Sequence, residues 1–536
     1  MKILALLFVF VLPALSATPR PVPSYSIITA DDARTHLSML AADSMQGRNT
    51  PSPQLEIAAK YIAKQFKKYG LKTVNGSYFQ RYAISRTNLG PENVFVISHS
   101  SIYARGIEWD SNRKVGIPFT GGFHSERTME IKTDWVPYDF SAGTHDSGGI
   151  VFAGYGITAP EYKYDDYAGI DVKGKFVLVL KHEPDEKGTD TTFFRGPKWT
   201  RYAEVRTKMK NARAHGAIGV IAVTDPGNHI LLKPQGYAWP SLFDTNMHGD
   251  QLPVELEEGL PEKILAVHAG EAVMKILFGS IDSLKHVQKL IDSTHTPHSF
   301  AFDSTNRVEM KVDLKKTQMT VPNVVGWWQG DRTDSQHIVI GAHMDHIGVR
   351  RADSTSQDTI FNGADDNASG TTGMLEVARA FSAAPDKPHR SVLFIAFSGE
   401  EKGLYGSRSY VAHPLVSLDQ CAAMLNMDMI GRNDPDSLQL GGAGHSPDLT
   451  DIAVEQNKDI GLKIKLDDDY TGRSDQASFA DHKIPVLFFF TGEHEDYHKV
   501  GDSVDKINFD KLARVAKLCF RTAWTMGDGE TWFLYK

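Results

Sequence analysis

The stretch VLFIAFSGEEKGLYGS, residues 392–407, joins a run of apolar residues to two adjacent carboxylates, Glu400 and Glu401. The run VLFIAF has the length and composition of a buried β-strand. Successive side chains of an extended chain point in opposite directions, so the two carboxylates are not expected to have the same task. The stretch therefore predicts a buried strand that ends at two charged groups with different roles.

Apolar runs of the same kind alternate with helical patterns from Val321 onward. Helices are predicted at residues 369–384 and 508–527, and the strands are NVVGWWQG, HIVIGA, SVLFIAF, AAMLNM and PVLFFF. This alternation predicts an α/β fold with a mixed, mostly parallel central sheet and helices on both of its faces. In such sheets ligands bind beyond the carboxyl ends of the strands, so functional residues are expected at that edge.

Five segments at strand ends or in nearby loops carry imidazoles and carboxylates. They contain His343, Asp345 and His346; Asp365 and Asp366; Glu400 and Glu401; Asp428; and His494, Asp496 and His498. Taken alone, each residue has an ordinary explanation as a helix cap or a solvated group. Asp428 is harder to explain in this way, because burying an unpaired carboxylate between Met427 and Met429 is costly. The repetition over five segments of one sheet favours a metal site.

The residue types also indicate which metals would bind. Imidazole and carboxylate ligands without thiolates suit two zinc ions, and Co²⁺ or Mn²⁺ would accept similar ligands. A carboxylate that bridges two such ions offsets their mutual repulsion. The only cysteines, Cys421 and Cys519, lie within apolar patterns that predict free, buried thiols.

In order, the motifs GAHMDHIG, GADDNASG, SGEEKGLYGS, NMDMIG and HEDYHK..D resemble those of the exported aminopeptidases with co-catalytic zinc, whose relatives include glutamate carboxypeptidase and the transferrin receptor. The resemblance covers about residues 321–526 and implies a zinc-exopeptidase type of sheet. It implies that two zinc ions are bound. His343 and Asp428 would bind one ion, Glu401 would bind the second, and Asp366 would bridge both. His498 would be the closing ligand.

The same resemblance implies the catalytic roles. Glu400 corresponds to the general base that accepts a proton from the attacking water, and Asp345 to the carboxylate that orients His343. Tyr497 stands where some relatives have a tyrosine whose hydroxyl stabilises the developing oxyanion, so it is a second catalytic candidate. The chain departs from the family at Gln476, where many relatives have histidine. His346 and Asp365 are expected to support the ligands or cap a helix.

A second pattern occupies the middle of the chain. Two strands, GGIVFAGYGI and GKFVLVLKHEP, precede a helix near residues 202–214 and a strand, IGVIAVTD. This block resembles the protease-associated domain, a lid-like module inserted into several peptidases. The predicted organisation is a signal peptide at residues 1–17, the N-terminal part of the peptidase domain at 25–140, the protease-associated insertion at 147–285 and the zinc peptidase domain at 300–536.

The N-terminal stretch MKILALLFVFVLPALSA predicts a signal peptide that is cleaved near Ser16 or Ala17, and hence a secreted or periplasmic protein. Its apolar run is shorter than the roughly 20 residues that span a bilayer, so no membrane anchor is expected. The formal charge of -8 gives no reason to expect nucleic acid as a partner.

These observations favour an exported di-zinc aminopeptidase that removes N-terminal residues from peptides. A carboxypeptidase or dipeptidase would keep the metals, but it would need a cation such as Arg432 or Arg473 for the substrate carboxylate. A glutaminyl cyclase with one zinc ion is opposed by the complete set of five ligands. A non-catalytic binding protein is opposed by the presence of every ligand and of the base.

Overall fold

The computed structural model describes residues 21–110, 112–188, 192–194, 196, 199–234, 254–256, 263–332, 336–350, 357–529 and 532–536. The predicted signal peptide lies outside these residues. The chain forms two compact units: unit 1 contains the described residues up to Ala83 and from Thr320 onward, and unit 2 contains Ile84–Met319. No described helix is both long and apolar enough to cross a membrane.

The α-helices are α1 (Ala30–Leu40), α2 (Pro53–Lys68), α3 (Val205–Ala214), α4 (Glu271–Phe278), α5 (Ile281–Thr294), α6 (Gly370–Ala383), α7 (Tyr405–Ala412), α8 (Pro447–Gln456), α9 (Gln476–Ala480) and α10 (Phe509–Asp528). The strands are β1 (Phe79–Leu89), β2 (Val94–Asp110), β3 (Val115–Thr128), β4 (Trp135–Pro137), β5 (His145–Phe152), β6 (Thr158–Ala159), β7 (Tyr164–Asp165), β8 (Phe176–Leu180), β9 (Gly219–Val223), β10 (Val254–Leu256), β11 (Leu265–Ala269), β12 (Phe300–Ala301), β13 (Asn306–Lys311), β14 (Leu314–Trp328), β15 (His337–His343), β16 (Gly348–Val349), β17 (Ile360–Phe361), β18 (Ser391–Phe397), β19 (Cys421–Met427), β20 (Ser437–Gly441), β21 (Lys463–Leu466) and β22 (Val486–Phe490).

The sheet of unit 1 contains the five predicted strands in the order β14, β18, β15, β19, β22. β20 and β21, which were not predicted from the sequence, follow β22 in the same sheet. β15 is parallel to β18 and β19, β19 is parallel to β22, and β20 is parallel to β21. β14 on β18 and β20 on β22 are antiparallel pairs. The predicted α/β class with a mixed, mostly parallel sheet is confirmed.

Helices cover both faces of this sheet. Neighbouring residues of a strand point to opposite faces, so each buried strand packs against helices on both sides. Phe394 of β18 contacts Phe66 of α2 and Phe381 of α6, with ring centroids 6.3 and 5.9 Å apart. The next residue, Ile395, belongs to a buried cluster that contains Phe479 of α9. A strand with two buried faces explains the unbroken apolar run that the sequence shows.

Unit 2 has its own mixed sheet, in the order β3, β2, β13, β5, β8, β9, β11, β4, with β12 paired to β5. Its centre, from β5 to β11, is parallel. The predicted strand–strand–helix–strand block corresponds to β5, β8, α3 and β9. The units divide within β1 and within β14; the domain boundaries drawn from the sequence remain predictions.

A buried arginine connects the N-terminal segment of unit 1 to the loops that carry the candidate ligands. Arg48 has no exposed surface, and its guanidinium donates to four carbonyl oxygens, those of Leu40 (2.5 Å), Met344 (2.9 Å), Asn362 (2.8 Å) and Gly363 (3.0 Å). Burial lowers the pKa of Arg48 to about 10, so the group remains charged at neutral pH. Met344 directly follows His343, so this arginine fixes the backbone beside the site.

We expect Arg48→Met to lower the free energy of unfolding by about 3 kcal/mol or more, because buried carbonyls that lose their donor cost about 1–3 kcal/mol each. Urea unfolding at fixed zinc concentration measures the effect. The control is Arg408→Met, at an exposed position of α7, which should change stability by about 0.5 kcal/mol or less. Equal unfolding midpoints for the two variants would contradict the assigned role of Arg48.

Candidate metal centre

The predicted ligands lie where parallel strands of unit 1 end. His343 is the last residue of β15, and Asp428 directly follows β19. Asp366 lies in the tight turn Ala364–Ser369, which leads into α6, and its own backbone angles are not helical. Since β18, β15, β19 and β22 are parallel neighbours, their carboxyl ends meet at one edge of the sheet, where ligands of such folds bind.

Glu400 and Glu401 begin the 3-10 turn Glu400–Lys402, just beyond β18. They do not continue the extended strand, so a backbone turn, rather than strand alternation, separates their side chains. Glu401 Oε2 lies 3.1 Å from His498 Nε2, whereas Glu400 Oε2 lies 4.0 Å from His343 Nε2. The two carboxylates do point in different directions, as predicted. The cause is the turn at Glu400–Lys402 and not the alternation of side chains along a strand.

One group of candidate ligands consists of His343, Asp366 and Asp428. His343 Nε2 lies 3.3 Å from Asp366 Oδ1 and 3.3 Å from Asp428 Oδ1. All three residues are buried, and one ligand atom from each lies within 4.8 Å of the others. This is the spacing expected of donors that share one ion.

A second group surrounds the other oxygen of Asp366. Asp366 Oδ2 lies 3.2 Å from His498 Nε2 and 3.7 Å from His346 Nδ1, and Glu401 Oε1 lies 2.7 Å from the same His346 nitrogen. The sequence indicated His346 only as a supporting residue. Its position shows that it is close enough to Asp366 and Glu401 to be a metal ligand with them. Asp366 presents one oxygen to each group, as a bridging carboxylate would.

Buried polar atoms without hydrogen bonds mark the first group. Among the described residues, His343 Nε2 and Asp428 Oδ1 are buried and make no hydrogen bond. Leaving such atoms unpaired is costly, so both are expected to face another partner. Imidazole nitrogens and carboxylate oxygens at this spacing are donors that zinc accepts. The residues present therefore fit a divalent metal.

Residues around the ligands hold them in place. His343 Nδ1 lies 3.1 Å from the carbonyl oxygen of Asp345 and 3.7 Å from its Oδ1. The Asp345 carboxylate in turn accepts from Thr50 Oγ1 at 2.9 Å and from the Glu400 amide at 3.3 Å. Sequence reasoning missed Thr50, because no local pattern connects it to a partner 295 residues away.

Two further supports were also missed. Asp502 accepts from the amides of Asp365, at 2.9 Å, and Asp366, at 3.0 Å. Ser474 Oγ donates to Asp428 Oδ2 at 2.7 Å. Asp502 closes the motif HEDYHKVGD, so its position in that motif was a usable signal, whereas Ser474 carried none beyond its place in GRSDQASF.

Gln476 has a structural role at the position where the resemblance leads one to expect histidine. Its Oε1 accepts from Asn426 Nδ2 at 2.8 Å, and its Nε2 donates to the Thr471 carbonyl at 2.9 Å. Asn426 lies two residues before Asp428, so Gln476 supports the end of β19. The adjacent Asp475 is fully buried, which raises its pKa to about 7.

The two catalytic candidates line a small cavity beside the ligands. The cavity measures about 40 Å³, and its walls include Glu400, Tyr497 and the apolar residues Met429, Phe488 and Phe490. Burial raises the pKa of Glu400 well above its ordinary value, and the Glu401 carboxylate contributes to the shift. Burial also raises the pKa of Tyr497, whose ring stacks on His498 at a centroid distance of 4.0 Å.

Several other polar residues in or near these segments form ion pairs. Arg432 Nη2 lies 2.9 Å from Asp496, and Arg473 Nη1 lies 3.0 Å from Glu493. His494 Nε2 lies 3.5 Å from Asp365 Oδ2. Both arginines that could serve a carboxypeptidase therefore already face a carboxylate.

Comparisons with known proteins agree with this description. Residues 323–523 match the sequence profile of peptidase family M28, and residues 142–277 match that of the PA domain. Two sequence relatives are leupeptin-inactivating enzyme 1 of Streptomyces exfoliatus, 28% identical over 233 residues, and aminopeptidase YwaD of Bacillus subtilis (strain 168), 25% identical over 379 residues. The matches cover 39% and 68% of this chain and 49% and 66% of the relatives, so the chain spans about half the length of the first of them.

The fold also resembles a solved structure, the aminopeptidase from Aneurinibacillus sp. strain AM-1. The TM-score is 0.54 at 21% sequence identity, and the match covers 96% of this chain and 97% of that one. The family resemblance stated from the motifs is confirmed. Residues 323–523 of the chain therefore form a peptidase family M28 region, and residues 142–277 form a PA domain.

Proposed function

We propose that the protein is an exported di-zinc aminopeptidase, which hydrolyses the first peptide bond of peptides with a free N-terminus. The observation that carries the proposal is the position of Asp366, whose two oxygens face two separate groups of imidazoles and carboxylates. Zinc metalloprotease and aminopeptidase are also the names of several relatives, which supports the metal and the reaction class. Export rests on the signal-peptide pattern at residues 1–17.

The ligand assignment follows from the two groups. His343 and Asp428 would hold one zinc ion, Glu401 and His498 would hold the second, and Asp366 would bridge both. His346 lies within reach of the second ion and hydrogen-bonds Glu401, so it would orient that carboxylate. Bound zinc would act as a Lewis acid on the peptide carbonyl and would make a water molecule more acidic.

Glu400 is the proposed general base. Its carboxylate is nearly buried, lies beside the ligands without belonging to either group, and lines the cavity. Burial and neighbouring carboxylates raise its pKa, which strengthens its affinity for a proton. Glu400 would accept a proton from the attacking water and transfer it to the leaving amine. The Tyr497 hydroxyl, in the same cavity, would donate to the carbonyl oxygen as negative charge develops on it.

Specificity for the N-terminus is supported by the charges around the cavity. A carboxypeptidase needs a free cation for the substrate carboxylate, but Arg473 and Arg432 each pair with an acidic side chain at about 3 Å. The apolar part of the wall, formed by Met429, Phe488 and Phe490, would receive an apolar side chain. We therefore propose peptides with apolar N-terminal residues as the preferred substrates.

We expect Glu400→Gln to keep its zinc and to lose about 10²–10⁴-fold in kcat, the usual contribution of a general base. Hydrolysis of leucine anilide and zinc per chain are measured together. The matched control is Glu495→Gln, an exposed carboxylate in the loop after β22, which should retain full activity. A Glu400→Gln enzyme with unchanged kcat would refute the role of Glu400.

Asp366→Ala should lose most of both zinc ions together with all hydrolysis, whereas Asp428→Asn should lose about one ion, because only Asp366 faces both groups. Metal analysis after gel filtration distinguishes the two variants, and Asp481→Ala at an exposed position is the control. Chelation of the wild-type protein should abolish hydrolysis, and added Zn²⁺ should restore it. Hydrolysis that survives exhaustive chelation would exclude the metal mechanism.

Substrate panels test the proposed specificity. Leucine and phenylalanine anilides should be cleaved faster than aspartate anilide, because the apolar wall disfavours a charged side chain. N-acetylation should abolish cleavage, while amidation of a peptide's C-terminus should leave it unchanged. The opposite pattern, with tolerance of N-acetyl groups and a need for a free carboxylate, would favour the carboxypeptidase alternative.

A further inference from the structure

Unit 2 contains a second cluster of metal-binding side chains, outside the peptidase centre. The segment HEPDE, residues 182–186, follows β8, and DPGNH, residues 225–229, follows β9. In each segment a histidine and a carboxylate stand four residues apart: His182 and Glu186 in the first, and Asp225 and His229 in the second. Because β8 and β9 are adjacent parallel strands, the two segments leave the sheet at the same edge.

The four side chains of these segments converge. His182 Nδ1 lies 2.6 Å from Asp225 Oδ1 and 3.6 Å from Glu186 Oε2. His229 Nε2 lies 3.0 Å from the same Glu186 oxygen and 3.7 Å from Asp225 Oδ2. One donor atom from each of the four residues lies within 4.8 Å of the others.

Burial makes this cluster more than a set of surface ion pairs. The side chain of Asp225 is fully buried, and its Oδ2 makes no hydrogen bond within the described part of the chain. The side chains of His182 and Glu186 are each 12% exposed. This buried oxygen lies 3.7 Å from His229 Nε2 and has no donor among the described residues, so it is expected to have a further partner.

The surroundings leave these four donors available. The neighbouring Glu183 is already engaged by the amide of Thr200 at 2.7 Å and its hydroxyl at 2.6 Å. Lys208 Nζ donates to backbone carbonyls of Tyr155 and His182 rather than to the cluster. Burial also lowers the pKa of Lys208, which weakens the positive charge beside the cluster.

An entry route exists on one side. His182 stacks on Trp199 with ring centroids 4.6 Å apart, and both residues line a groove of about 1040 Å³ in unit 2. His229 is the most exposed member, at 32%. An ion can therefore reach the histidines from solvent, while Asp225 closes the buried side.

We propose that His182, Glu186, Asp225 and His229 bind one divalent transition-metal ion of the zinc type. Zinc bonds of about 2.0–2.1 Å in a tetrahedron place neighbouring donors roughly 3.3 Å apart. The four histidine–carboxylate separations, 2.6 to 3.7 Å, lie on both sides of that value, and one donor atom from each residue lies within 4.8 Å of the others. Small side-chain rotations would therefore complete the site. With four protein donors the site is closed, which is typical of structural zinc, and it ties the ends of β8 and β9 together.

The test uses the full-length protein and zinc alone as the probe. After equilibrium dialysis against Zn²⁺, His229→Gln and Asp225→Asn should each contain about one zinc fewer per chain than the wild type. Their hydrolysis of leucine anilide should be unchanged, which shows that the peptidase centre is intact. The matched control is His286→Gln, an exposed histidine on α5 of the same unit, which should keep the wild-type zinc content.

A second measurement does not depend on the peptidase centre. In the Asp366→Ala background, Co²⁺ should still give the visible absorption of a tetrahedral site, and adding His229→Gln should abolish it. Equal zinc content in the wild type and His229→Gln, or the absence of a tetrahedral cobalt spectrum in Asp366→Ala, would overturn the proposal. Because Asp366 variants report on the peptidase centre and His229 variants on unit 2, failure of one site is distinguishable from failure of the other.

Discussion

The structure of unit 1 depends on one electrostatic constraint: several carboxylates and imidazoles are removed from water at a single edge of the sheet. Asp366, Asp428 and His343 are all buried, and without compensation their desolvation would cost several kcal/mol per charge. Part of the compensation comes from the chain, as where Ser474 donates to Asp428. The rest would come from the proposed zinc ions, whose binding would then be thermodynamically coupled to folding.

The same constraint explains why so many supports of the site come from distant parts of the chain. A ligand that is misplaced by a fraction of an ångström loses affinity, and outer contacts fix its position. Asp502 holds the backbone of Asp366 through its amide, and Thr50 holds the Asp345 carboxylate next to His343. The site is therefore a property of the whole of unit 1 rather than of five motifs.

Much of this could be predicted from the sequence, for identifiable reasons. β15, β18, β19 and β22 are buried on both faces, so they appear as unbroken apolar runs, and their polar end residues stand out against them. Arg48 and Thr50 could not be predicted, because the partners that connect them to the site are about 300 residues away and nothing local marks them. Nor could the cluster of unit 2, since HEPDE and DPGNH look like ordinary turns until β8 and β9 are known to be neighbours.

The contacts of Arg48 also have a consequence for the order of folding. Unit 2 is continuous, so all of its pairings can form once residue 319 has left the ribosome. Arg48 cannot form its hydrogen bonds to Met344 and Gly363 until those residues, 296 and 315 positions later in the chain, have been synthesised. Closing so long a loop costs entropy before any contact forms. The N-terminal segment therefore stays without these partners until much of unit 1 has been synthesised, and in that interval its apolar surface is exposed to aggregation.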